Sequence, residues 1–93
     1  MNRKEIVLYS GLIAYFPRAL REVAHVSFIG NQQHHPNDPL WWDKSKSSDE
    51  LDALMRHLCD HASGEIFDTD GTRHLAKACW RCLARLERDL EHE

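Results

Sequence analysis

The chain has 93 residues, with 12 Lys and Arg against 15 Asp and Glu, a formal net charge of −3. That length holds one domain, 1–93, and folding buries roughly 60–70% of the unfolded surface, so a cleft for a sizeable ligand has to be shared between subunits. The 42% hydrophobic and 29% charged composition excludes disorder, the acidic balance excludes a general nucleic-acid binder, and no apolar run reaches the length of a membrane span.

Residues 1–16 are apolar and aromatic without a clean period, and read as a short helix or an extended arm. Arg3 and Lys4 precede an apolar run, but Phe16-Pro17-Arg18 offers no small-residue cleavage site for a signal peptide. Three cysteines in a chain without an export signal then suit reduced thiols in a cytoplasm. Pro17 fits the first turn of a helix. From there Leu20, Val23, Ala24 and Ser27 or Phe28 recur at helical spacing to about Ile29, and Gly30 is the predicted stop.

Residues 30–47 are a predicted loop, since Pro36 and Pro39 forbid a helix there. It is long enough to be functional. Trp41 and Trp42 on it are either an anchor for the core or a stacking surface for a flat base, whose edge Asn31, Gln32, Gln33, His34 and His35 can meet. Ser47 or Ser48 is the expected cap of a second helix with Asp49 and Glu50 in its first turn. Leu51, Leu54, Met55, Leu58 and Ala62 form its apolar stripe, and Gly64 ends it. After a short turn, Asp70 or Thr72 is expected to cap a third helix with Leu75, Cys79, Cys82, Leu83, Leu86 and Leu90 on one face. The predicted fold is all-α: a small helical bundle whose last two helices pack as an antiparallel hairpin, completed by oligomerisation.

Seven histidines invite a site, histidine being the commonest metal ligand. Asp52, Arg56, His57, Asp68, Asp70 and His74 concentrate beside one turn. Residues three or four apart share a helix face, so Asp49 with Asp52, or Asp70 with His74, can hold a cation jointly. The plainer reading makes Asp49 and Glu50 dipole complements and Asp68 and Asp70 turn residues. His57 and His61 have zinc-like spacing, but Leu58 stands where the metalloprotease pattern needs Glu. Cys79-Trp80-Arg81-Cys82 lies mid-helix on the apolar stripe and reads as a pair of core cysteines.

Residues 19–87 resemble a phage family of dATP/dGTP diphosphohydrolases, related to the MazG-like all-α NTP pyrophosphohydrolases. The matching features are Ala19-Leu20, Val23-Ala24, Gly30-Asn31, a loop Trp and the run Asp52-Ala53-Leu54-Met55-Arg56-His57-Leu58. Gly64-Glu65, Asp68-Thr69-Asp70-Gly71, His74-Leu75-Ala76 and Trp80 follow. Gln33-His34 departs from the Lys followed by an aromatic or His common in related sequences, and the paired acidic signatures of MazG-like enzymes are present only loosely.

The resemblance implies hydrolysis of a purine deoxynucleoside triphosphate, dGTP before dATP, to the monophosphate and pyrophosphate with Mg²⁺ or Mn²⁺. It also implies a homodimer or homotetramer, in the host cytoplasm if phage-encoded. Some relatives serve phages whose DNA carries 2-aminoadenine. On this reading Asp52, Asp68, Asp70 and Glu22 are the expected metal ligands, and Asp52, His57, Asp70 and His74 the catalytic groups. Arg56, Lys77 and Lys46 would meet phosphate, with Lys44 and Arg81 adding positive charge, and Asn31, Trp41 and Trp42 would read the base. The rival is a non-enzymatic phage adaptor that binds a host or phage protein.

Overall fold

Every regular element of the computed structural model, which describes residues 1–93, is helical. The arm opens with a 3-10 turn, Arg3–Glu5, closed by a capping box: Asn2 Oδ1 accepts from the Lys4 amide, and the Asn2 amide donates to Glu5. A single π-helical turn, Tyr9–Ile13, follows. The main helices are α1 (Pro17–His34), α2 (Glu50–Ala62) and α3 (His74–Glu91). As predicted, α2 and α3 form an antiparallel hairpin, and α1 packs on α3.

Pro17 starts α1, but Gly30 does not end it. A mid-helix glycine costs only about 1 kcal/mol relative to alanine, and the extra turn carries Asn31, whose buried amide ties down the following loop. Asn31 Nδ2 donates to the Asp38 carbonyl at 3.2 Å, and Asn31 Oδ1 accepts from the Trp41 amide at 3.3 Å. The helix stops at His35, the residue before Pro36, where the proline ring disfavours helical geometry. The loop is therefore 35–49, shorter than predicted.

The expected serine cap is not formed: Asp49 precedes α2 and makes no side-chain cap bond. Gly64 closes α2 with φ +100°, a left-handed conformation that glycine adopts without a Cβ penalty. Nor do Asp70 or Thr72 cap α3; Arg73 precedes it without a cap bond. Asp70 Oδ1 accepts instead from the Thr72 amide at 2.9 Å, and Asp68 Oδ1 from the Thr69 amide at 2.7 Å. With Gly71 at φ +82° and a lone β-bridge between Phe67 and Arg73, these bonds build a tight turn.

The core lies elsewhere than the stripes suggest. Ala53 of α2 and Ala76, Ala78 and Ala84 of α3 are the buried apolar residues of the hairpin, joined by Val23 of α1. The predicted core residues Leu51, Met55, Leu58, Leu75, Leu83, Leu86 and Leu90 are exposed, as are Cys79 and Cys82. Periodicity identifies an apolar face but does not say what covers it. Here the small alanines set the close helix contact, and the leucines remain on the outer surface.

Candidate functional site

The turn 64–73, the start of α3, the end of α1 and the loop 35–49 surround a cavity of about 480 Å³. That volume falls in the ordinary range for small-molecule sites. At its polar end Lys77 bridges two carboxylates, with Nζ 2.6 Å from Asp68 Oδ2 and 2.8 Å from Asp70 Oδ2. Gln33 of α1 donates to the same Asp70 oxygen at 3.1 Å.

These contacts set the protonation states. The Lys77 ammonium holds Asp68 below the usual carboxylate value, against the effect of burial. Burial works to raise the Asp70 carboxyl, but bonds from Lys77, the Thr72 amide and Gln33 outweigh it and hold it far below that value. Burial likewise works against the Lys77 charge, yet its two carboxylate partners raise its pKa. Both acids are thus ionised and the lysine charged at neutral pH.

His57 of α2 faces the first residue of α3, His74, with their Nδ1 atoms 2.9 Å apart. His74 is buried, while His57 borders the cavity. Burial, then the positive field of Lys77, lowers the His57 pKa from its ordinary value of 6.5. A neutral imidazole at pH 7 leaves a nitrogen lone pair available to a proton or an ion.

The loop divides the two tryptophans between the roles the sequence left open. Trp42 is an anchor: it packs edge-on against Trp80, with ring centroids 5.5 Å apart, beneath the cations of Lys44 and Arg88. Trp80 in turn donates to Ser27 Oγ at 2.8 Å and ties α3 to α1. Trp41 is half exposed and lies against His35 at 4.6 Å. Asn31 borders the cavity, but its amide is engaged in holding the loop.

Sequence reasoning missed the buried ion pair beneath this loop. Glu50, read as a dipole complement, is 2% exposed, and its Oε1 lies 2.5 Å from Arg88 Nε. The contact is off the hydrogen-bonding axis, and Glu50 Oε2 is buried without a partner. Arg88 also donates to the Lys44 and Ser47 carbonyls, so one side chain of α3 secures both the loop and the start of α2. Its signal was the spacing of Lys77, Arg81 and Arg88, four and seven residues apart on the face opposite the leucines.

Of the expected site residues, the structure gathers Asn31, Trp41, Trp42, Lys46, His57, Asp68, Asp70 and Lys77 around the cavity, with His74 behind His57. It separates three others. Asp52 and Arg56 lie with Met55, Cys59 and Asp60 in a separate shallow depression, and Arg56 pairs with Asp49 at 3.5 Å. Successive helix positions turn by about 100°, so directing His57 at α3 turns Arg56 away from it. Glu22 is exposed on α1 and does not border the cavity. No helix is long and apolar enough to cross a membrane.

No curated protein and no solved structure matches the chain. The family model described as dATP/dGTP diphosphohydrolase, N-terminal, matches residues 4–93, and the chain belongs to that family.

Proposed function

We infer that this cavity hydrolyses a purine deoxynucleoside triphosphate, dGTP foremost, between the α and β phosphates to give the monophosphate and pyrophosphate. The observation that carries this reading is a single cavity joining a half-exposed indole, Trp41, to the cations Lys46, Lys77 and Arg81. An indole face suits a purine, and ammonium and guanidinium groups suit a polyphosphate. Membership of the diphosphohydrolase family supplies the reaction class.

Trp41 stacks on the base while Trp42 and Asn31 keep the loop in place. Lys77 has three N–H donors, of which Asp68 and Asp70 take two, leaving the third for a phosphate oxygen. Asp70 serves by holding that lysine, and His57 presents a nitrogen lone pair at the same end, with His74 behind it. Asp52, Arg56 and Glu22 have no part in this assignment.

The charge balance calls for a further cation. Lys46, Lys77 and Arg81 are opposed by Asp43, Asp68, Asp70 and Glu50 on the cavity wall, so the protein offers no positive surplus to a triphosphate. The expected carboxylate cage for Mg²⁺ or Mn²⁺ does not fit these residues: Asp52 and Glu22 lie elsewhere, and Lys77 occupies the position between Asp68 and Asp70.

The exposed leucine faces of α2 and α3 support a homodimer or homotetramer in which a second copy covers them. A place in the cytoplasm of a phage-infected host, and a link to 2-aminoadenine DNA, belong to the same proposal and rest on the resemblance alone.

Incubation with each of the four dNTPs and divalent ions, followed by anion-exchange chromatography, tests the reading. dGTP should yield dGMP and pyrophosphate. Stepwise release of orthophosphate, or no turnover of any dNTP, overturns it.

A further inference from the structure

We propose that His57, Asp68 and His74 form a binding site for a transition-metal dication of the Co²⁺ and Zn²⁺ class, discriminating against Mg²⁺. Its catalytic consequence rests on the triphosphate reading above; occupancy of the site does not.

The geometry is that of a ligand set already brought together. One donor atom from each residue, an imidazole nitrogen from each histidine and a carboxylate oxygen, lies within 4.8 Å of the other two. The two Nδ1 atoms stand 2.9 Å apart. Two nitrogens bound at about 2.1 Å to one ion, at a right angle, are separated by about 3.0 Å. The separation of the two nitrogens thus matches that of two ligands on one ion, which would sit to one side of the line between them once each ring tilts towards it.

The surroundings favour that arrangement. His74 is held by the first turn of α3 and is buried, so its ring cannot turn away to solvent. His57 comes from the opposite helix of the hairpin, and Asp68 from the turn that joins them. Three separate elements thus bring donor atoms within 4.8 Å of one another. Asp68 accepts from Lys77, the Thr69 amide and, at 3.5 Å, the Thr69 hydroxyl, but an ionised carboxylate has about four lone-pair positions, so one contact remains available.

A second group, Asp60, Glu65 and His74, shares the buried histidine. It has one imidazole rather than two, its Glu65 is exposed, and neither of its acids borders the cavity. The His57 group does border it, through His57 and Asp68. Three protein ligands leave coordination positions open, as catalytic rather than structural sites do. Two imidazoles with one carboxylate suit borderline ions, whereas Mg²⁺ demands an octahedron of oxygens. The site also provides the positive charge that the cavity wall lacks.

The test is a titration of the metal-free protein with Co²⁺, without nucleotide, followed by visible absorption. A d–d band should grow and saturate at one Co²⁺ per chain. Zn²⁺ should abolish the band, and Mg²⁺ in about a thousandfold excess should leave it unchanged. His57→Gln and Asp68→Asn, each checked for helicity by circular dichroism, should weaken Co²⁺ binding at least about tenfold. No band, displacement by Mg²⁺, or binding that survives both substitutions through other histidines overturns the proposal. Stoichiometric Co²⁺ binding in a protein that hydrolyses no dNTP leaves the site standing and removes the triphosphate reading instead.

Discussion

Lys77 decides the charge state of the turn that delivers Asp68 and Asp70. Both carboxyls titrate lower in the folded chain than their usual value of 3.8, so their contribution to stability is complete above that pH. It is lost as the pH falls through the lower folded values. Lys77 titrates above its usual 10.5, so its contribution is present below that pH and is lost as the pH rises through the folded value. The lowered His57 pKa adds a contribution that is complete above pH 6.5 and is lost as the pH falls below it. Thermal melts of the metal-free protein should therefore give a plateau from about pH 6.5 upward, a first decline below that pH and a second acid transition below about pH 4. Lys77→Met leaves two half-buried carboxylates facing each other without a cation. It should lower kcat/KM for dGTP about a hundredfold, the usual scale for losing one charge-stabilising donor. Unchanged turnover in that variant removes Lys77 from the phosphate site. Arg88 is the second decisive residue. Removing one partner of a buried pair costs about 3–5 kcal/mol, so Arg88→Met should strip much of a small domain's stability in urea melts.

At the scale of elements, the loop 35–49 and the turn 64–73 carry the site, and the helices hold them in register. The loop's two indoles should separate in mutagenesis. Trp42→Ala removes the contact with Trp80 and should lower stability by about 3 kcal/mol, the low end for a tryptophan truncation because the ring is only partly buried. Trp41→Ala should leave the melting temperature nearly unchanged and raise KM for dGTP, since its ring is half exposed. Equal destabilisation by both would mean that Trp41 is also an anchor. The helices themselves were legible: Pro17, Gly64 and the periodic leucines marked three of them, and the run from Gly64 to Gly71 marked the turn. Gly30 misled because glycine is only a weak breaker when the next residue, Asn31, has a buried role. Asp52 and Arg56 were grouped with His57 because proximity in sequence was read as proximity in space. One helix cannot send three such positions to the same wall. Arg88 went unseen because nothing local links it to Glu50, 38 positions earlier.

The whole molecule has a very small core for its size. Only nine of its 93 residues are buried, and four of those are polar or charged. Leu51, Met55 and Leu58 on α2 and Leu83, Leu86 and Leu90 on α3 are each 38–58% exposed. Burial of apolar surface contributes about 25 cal/mol per Å², so covering these faces by a second copy would add substantially to a marginal fold. Light scattering should accordingly give a dimer or tetramer, and Leu86→Glu should shift it towards monomer. A monomeric wild-type protein at high concentration would contradict that arrangement.

At every scale the proposed activity is nucleophilic attack by water at the α-phosphorus of a bound purine triphosphate. Turnover of dGTP in ¹⁸O-labelled water, with mass analysis of both products, tests this directly. One ¹⁸O should appear in dGMP and none in pyrophosphate. Label in pyrophosphate, label in released orthophosphate, or no turnover would contradict it.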